Sequence, residues 1–356
     1  MKKLIAILFI AMMLPAIPAS ANEESGEMDL QGIIFEHLGD AYGWEVPFSH
    51  ARRIPLPVIV NDEAGDWHLF SSARVTGGEA YADNGVVFAI AKDGDYKGKV
   101  VQLTADGRQY RPVDLSITKD VAGLMIAALI VAAVMFSLVR YYKRKGMKAP
   151  RKGMGAVEAL IGFVYDGVLK DTLGEKAPKF AGYLLTVFFF IFTMNLLGLI
   201  VIFPGGANIT GNIAVTLVLA VCTFVITNVK GNKHYWKDIF WPDVPLALKF
   251  PLPIMPLIEL FGIFTKPAAL CVRLFANMIG GHMIVIVLTL LIFIFAPFGF
   301  GVASATTIVS MCFSLFMLLL DVLISFIQAY VFTMLSTLFI SLAMPKEAEE
   351  SSELAK

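Results

Sequence analysis

From Pro253 to Met344 the chain runs for 92 residues with four formal charges, Glu259, Lys266, Arg273 and Asp321. So long an apolar run fits lipid, because a bilayer's hydrocarbon core takes roughly 20 apolar residues per crossing. The segment Pro297-Phe298-Gly299-Phe300-Gly301 divides it into two arms of more than forty residues each. As a straight helix each arm would measure about 65 Å, twice what a vertical span needs. The arms are therefore predicted to tilt strongly or to wrap around a partner. Composition agrees, since 57% of the 356 residues are hydrophobic and 16% charged, against about a quarter charged in an ordinary soluble domain. The 29 basic and 29 acidic residues cancel, which leaves no global field for nucleic acid. Cys222, Cys271 and Cys312 lie in apolar runs without metal-type spacing and read as small buried hydrophobes. No phosphate loop, HExxH helix or GxSxG elbow is present. The chain is not read as an enzyme, and no cofactor or metal is expected.

The N-terminus carries Lys2 and Lys3, the apolar stretch Leu4–Leu14, the helix breakers Pro15 and Pro18, and the small-x-small end Ala19-Ser20-Ala21. That is the layout of a signal peptide, cleaved after Ala21, so the mature N-terminus is expected outside the cytoplasm. Residues 22–118 differ in kind from the rest. An amphipathic piece, Leu30–Leu38, precedes strand-like stretches such as 86–90 and 99–103, separated by turn clusters. About five strands are expected in this exported domain. His37, His50 and His68 are scattered there without a ligand pattern.

Val121–Val139 is long and apolar enough to cross, and Arg140–Lys152 after it holds seven Lys or Arg and no acid. The positive-inside rule makes that flank cytoplasmic. Ala156–Leu173 is too polar to cross and is expected along the cytoplasmic interface. Ala181–Phe203 and Ile213–Val229 are the next two crossings, followed by a second basic flank and by Trp236 and Trp241 as interfacial anchors. With the two long arms this gives an all-α polytopic membrane protein with five transmembrane helices. Its two long, tilted C-terminal helices form a hairpin, and a small β-rich exported domain precedes the helices. The expected divisions are 1–21 signal peptide, 22–118 exported domain, 119–145 first crossing and basic flank, 146–178 interfacial segment, 179–344 four-crossing core and 345–356 cytoplasmic tail.

Each charge at mid-membrane costs several kcal/mol, from about 2.5 upward, so it usually faces a cavity, a partner or an ion path. Glu259, Lys266 and Arg273 are seven apart, nearly two helical turns, and form one stripe with Asn277 a turn beyond. A structural ion pair between Glu259 and Lys266 is one reading of two of these charges. His282 lies half a turn round from Arg273, and Asp321 and Gln328 again share a face. If the arms fold back about Gly299, residue 325 stands opposite Arg273 and residue 316 opposite His282. Arg273 then meets the neighbourhood of Gln328, and His282 that of Asp321. Two polar clusters at different depths suit ion transfer in two offset steps. Arginine keeps its proton in a protein, whereas histidine titrates near neutral pH and can pass one on. An ion-coupled secondary transporter with a midplane charge cluster is the alternative, but it predicts paired repeats and a substrate pocket. The sequon Asn208-Ile209-Thr210 reads as a polar turn.

At Lys266-Pro267, Arg273-Leu274-Phe275-Ala276-Asn277-Met278, Gly281-His282 and Gln328-Ala329-Tyr330-Val331-Phe332-Thr333 the sequence resembles subunit a of F-type ATP synthases. Met194-Asn195-Leu196-Leu197 resembles the family's second crossing. The resemblance covers about residues 120–344. It implies a stator subunit of the bacterial inner membrane, beside a c-subunit ring and a b-type peripheral stalk, with two aqueous half-channels for protons. Carried over by position, Arg273 is the essential arginine. Asn277, His282, Asp321 and Gln328 belong to the outer half-channel, and Glu259 and Lys266 lie toward the cytoplasmic path. Two departures stand out. The acid and the imidazole look exchanged between positions 282 and 321, and Gly198 stands where some relatives carry an aspartate.

Overall fold

The computed structural model describes residues 39–46, 49–76, 80–91, 94, 96–104, 108–146, 148–150, 153–200, 206–240 and 254–344. The signal peptide, Leu30–Leu38, His37, Trp241 and the C-terminal tail lie outside the described residues.

The β-rich region contains nine strands among the described residues, where about five were expected: β1 Gly43–Val46, β2 Ser49–Pro55, β3 Pro57–Asn61, β4 Trp67–Ser71, β5 Tyr81–Asp83, β6 Val86–Ile90, β7 Val100–Leu103, β8 Gln109–Tyr110 and β9 Val113–Asp114. They form three antiparallel sheets in the orders β1-β2, β4-β3-β9 and β5-β6-β7-β8. Most of the excess over expectation comes from the two- and three-residue strands β5, β8 and β9, too short to show alternation. Where alternation is long enough it decides the faces. In β4, His68 and Phe70 are buried while Trp67, Leu69 and Ser71 point out. Val58, Val60, Phe70, Val75, Phe88 and Val100 make the core of this region. His68 is buried between two carboxylates, with Nδ1 2.9 Å from Asp83 and Nε2 3.3 Å from Asp62.

The helices follow: α1 Lys119–Lys145, α2 Gly153–Val164, α3 Ala177–Leu199, α4 Ile213–Val229, α5 Lys233–Phe240, α6 Ile254–Phe295 and α7 Phe300–Ala343. A π-helical stretch, Tyr165–Lys170, prolongs α2 toward α3. Among the described residues, four helical segments are long and apolar enough to cross a membrane: Lys119–Lys145, Gly153–Leu199, Leu257–Phe298 and Phe300–Ala343. The 17 residues of α4 are shorter, about 26 Å.

Local chemistry fixes the ends. Thr118 caps α1, its side chain accepting from the Val121 amide, and Lys143, Arg144 and Lys145 in the last turn complement the helix dipole. Gly146 follows at φ 62°, where a side chain would be strained. Asn212 caps α4 through the Ala214 amide. Between the long arms Gly299 takes φ 102°, a turn only glycine enters freely. α6 runs unbroken through Pro267 for 42 residues, and α7 has 44.

Helices in lipid gain little from expelling water and are held by close packing and hydroxyl contacts. The buried face of α7 fits that rule, with Ser325, Ala329, Thr333, Ser336, Thr337 and Ala343. The core gathers round α3, where Leu184, Phe188, Ile191 and Met194 pack with Leu270, Leu274, Phe332 and Ile340. Of the cysteines only Cys271 is buried; Cys222 and Cys312 are exposed on apolar helix faces. An apolar run does not reveal which of its faces meets lipid.

The strands join the helices at the head of α1. The Lys119 amide donates to the Ala41 carbonyl at 2.8 Å, and the Asp120 amide to the Asp40 carboxylate at 3.2 Å. Trp44 packs into the helical core.

Candidate functional site

α6 presents two different sides. Leu270, Cys271, Leu274 and Met278 are buried against neighbouring helices, whereas Arg273 is exposed. Nine residues on, about half a turn round, His282 faces inward and lines a small cleft with Asn277, Met278 and Gly281. Asn195 and Leu199 of α3 and Asp321, Ile324 and Ser325 of α7 close the cleft. It encloses about 10 Å³ of water-accessible space, enough for about one water molecule. Gly281 makes the approach possible, since a Cβ there would come within 2.8 Å of Asp321 Oδ1. The Nε2 of His282 is buried without a hydrogen-bond partner among the described residues. No direct hydrogen bond joins His282 to Asp321.

Gln328 is buried two turns along α7 from Asp321, its amide nitrogen also without a partner among the described residues. Lys266 lies elsewhere, in a cleft with Thr223, Thr227, Asn228, Tyr235 and Phe339, its ammonium 5.8 Å from the centre of the Phe339 ring. No ion pair joins it to half-buried Glu259 among the described residues, so the structural pairing expected as one reading of these charges is not formed. The structure thus brings Asn277, His282 and Asp321 together and leaves Arg273, Gln328, Lys266 and Glu259 outside that cleft.

Residues not singled out from their chemistry extend the polar row. Asn195 accepts a 2.7 Å hydrogen bond from Thr210, and both are buried. The sequon is therefore a buried polar turn. Its Asn208 is buried with neither amide atom partnered among the described residues. Asn212 donates to Asp120 at 3.0 Å, and Asp120 is buried at the head of α1. A polar run inside an apolar chain was the available signal, but no spacing rule links residues on three separate elements. At Gly198 a Cβ would stand 3.7 Å from His282 Nε2 and would collide with the end of Met278. Met278 occupies the space that an aspartate there would need.

An exposed arginine on an apolar helix whose opposite side lines an imidazole–carboxylate cleft suits an ion-conducting subunit rather than a hydrolytic or redox site. The family profile described as "ATP synthase A chain" matches residues 123–341. Subunit a of Pelodictyon phaeoclathratiforme is 42% identical over 248 residues, 68% of this chain and 69% of that protein. Subunit a 2 of Prosthecochloris aestuarii is 38% identical over 292 residues, covering 80% and 86%. That of Myxococcus xanthus is 41% identical over 240 residues, covering 65% and 74%. The chain belongs to the ATP synthase subunit a family. It is a multi-pass membrane protein and a non-catalytic subunit of the synthase's membrane sector. Residues 33–118 match a separate profile, a domain of unknown function (DUF8433).

Proposed function

We propose that this chain is the proton-conducting stator of the membrane sector, offering two offset half-channels to a ring of c subunits. In this reading α1, α3, α4, α6 and α7 are five crossings, with α6 and α7 a tilted hairpin against the ring. Residues 1–21 are a removed signal, residues 22–118 stand outside the cytoplasm, and the tail lies within it near a b-type stalk. The observation that carries the reading is Arg273, exposed on α6 while the opposite side of the same helix lines the His282–Asp321 cleft. An exposed guanidinium in the span of a membrane helix needs a mobile anionic partner, and a ring carboxylate passing by would supply one.

Each residue then has a role set by its chemistry. His282 and Asp321 pass protons along the outer half-channel through water in their cleft, with Asn277 orienting that water and Gln328 standing two turns further along the same path. Arg273 cannot release its proton, so it pairs with the arriving ring carboxylate and its charge blocks a direct leak. Glu259 and Lys266 line the cytoplasmic half-channel. A potential of about 100 mV contributes roughly 2.3 kcal/mol per charge crossing, so no station can hold a proton much more tightly than that. The test is Arg273→Ala in assembled complex in vesicles. Coupled ATP synthesis and ATP-driven pumping are expected to vanish, with Lys giving little rescue because it lacks the planar, weakly hydrated fork. Normal pumping in the alanine variant would refute the role.

A further inference from the structure

The β4-β3-β9 sheet has one buried face and one that no other described residue covers. On the uncovered side two rows run across the strands. Trp67, Asn61 and Val113 stand in register, and Leu69 stands opposite Ile59, whose carbonyl takes the Leu115 amide. Trp67, Leu69, Val113 and Leu115 are each more than half exposed. No charged side chain lies in either row, while exposed Arg53, Arg74 and Arg111 flank the strands and exposed Glu63 and Asp66 lie in the β3–β4 turn. A water-bathed domain rarely leaves such a patch open; contiguous apolar surface usually marks a membrane or protein contact.

Position selects between those occupants. Leu115 is four residues before Lys119, the first residue of α1, so at most about 14 Å of chain separates the patch from the membrane span. Two bonds shorten that link further, with Leu115 and Ile117 amides held by the Ile59 and Pro57 carbonyls at 2.9 and 3.1 Å. The apolar rows thus lie a short stretch of chain from a helix that exposes Val121, Met125 and Leu129. A tryptophan among aliphatic residues with arginines at the margin is the composition of a membrane–water interface.

We propose that this sheet face rests on the outer leaflet, with Trp67, Leu69, Val113 and Leu115 in the phospholipid interface. The bilayer then braces the exported domain and keeps Asp40 against the head of α1. The proposal rests on α1 crossing the bilayer, and the test separates the two. Cys222, Cys271 and Cys312 are replaced by Ala, and nitroxide labels are placed singly at Leu69→Cys, Val113→Cys, Phe136→Cys and Arg108→Cys. The assembled complex goes into vesicles of phosphatidylethanolamine and phosphatidylglycerol. Collision with oxygen, which favours lipid, is compared with collision with a water-soluble nickel chelate. Labels at 69 and 113 are expected to show an oxygen-to-nickel ratio several-fold above the exposed label at 108. Nickel access equal to that at 108 would overturn the proposal, leaving the face in water. Low access to both reagents at 69 and 113 would also overturn it, in favour of a protein partner. A nickel-accessible label at Phe136, on the lipid-facing side of α1, would instead remove the crossing on which the proposal stands.

Discussion

His282 and Asp321 stand on different helices and share a cleft with room for about one water molecule. If they act as one relay, exchanging their chemistry preserves function better than altering either alone. His282→Glu sets two acids together, and Asp321→His sets two imidazoles. Each single change is expected to lower passive proton flux through the membrane sector by about 10²-fold, and the double exchange to recover part of it. Strictly additive losses would show that the sites do not couple. A second titrating residue lies in the β-rich domain. Burial pushes the His68 imidazole down, but hydrogen bonds to Asp83 and Asp62 outweigh it and raise its pKa above the ordinary value. Asp62 is held low, first by the Asp66 amide and then by His68. A raised histidine pKa contributes stability that is complete below about pH 6.5 and lost as pH rises through the native value. The lowered Asp62 contributes stability present above its unfolded value and lost only as pH falls through the native one. Hydrogen-exchange protection of β3 and β4, corrected for intrinsic rates, is expected to fall as pH rises above about 6.5 and through the raised native value. It should stay level across that range in His68→Phe.

Among the elements, the turn Ile209–Gly211 is wedged where α1, α3 and α6 converge. Gly123 in α1 shows how tightly, since a Cβ there would lie 2.8 Å from the Ala207 methyl and 2.9 Å from Ile209. Gly123→Leu is expected to destabilise the subunit by about 1–3 kcal/mol through overpacking, read as a lower thermal midpoint of the solubilised complex. Gly182→Leu faces open space and should leave the midpoint nearly unchanged. The apolar helices were legible because an apolar run of about twenty residues has few other uses. Ile213–Val229 matches its helix residue for residue, and the Pro297–Gly299 break falls between α6 and α7. The level of the long arms was less legible. Folding about Gly299 puts residue 316 opposite His282, whereas Asp321 packs at Gly281, more than a turn away. A turn's exact geometry sets that offset, and a proline–glycine cluster predicts only that a turn exists. The short strands escaped for a similar reason, with pairs such as Gln109–Tyr110 held by neighbours rather than by pattern.

Across the whole molecule, one-dimensional spacing revealed which residues share a face, and three-dimensional packing determined which face points where. Arg273 and His282 could be placed half a turn apart from numbering alone. That Arg273 is exposed and His282 meets Asn195, Thr210's partner on α3, depended on contacts between elements far apart in sequence. The β-rich domain gave no chemical motif, yet it hydrogen-bonds to the first turn of α1 beside Asp120, whose carboxylate holds Asn212. In the proposed function, polar positions on the two long helices open to opposite sides of the membrane, with Arg273 between them. Thiol accessibility tests it most directly, using single cysteines at Asn277, Asp321, Glu259 and Lys266 in a chain freed of Cys222, Cys271 and Cys312. A membrane-impermeant thiol reagent is applied to one face of oriented vesicles at a time. Asn277→Cys and Asp321→Cys are expected to react from the outer face alone, and Glu259→Cys and Lys266→Cys from the cytoplasmic face alone. Reaction of all four from the same face, or of any one equally from both, would contradict the account.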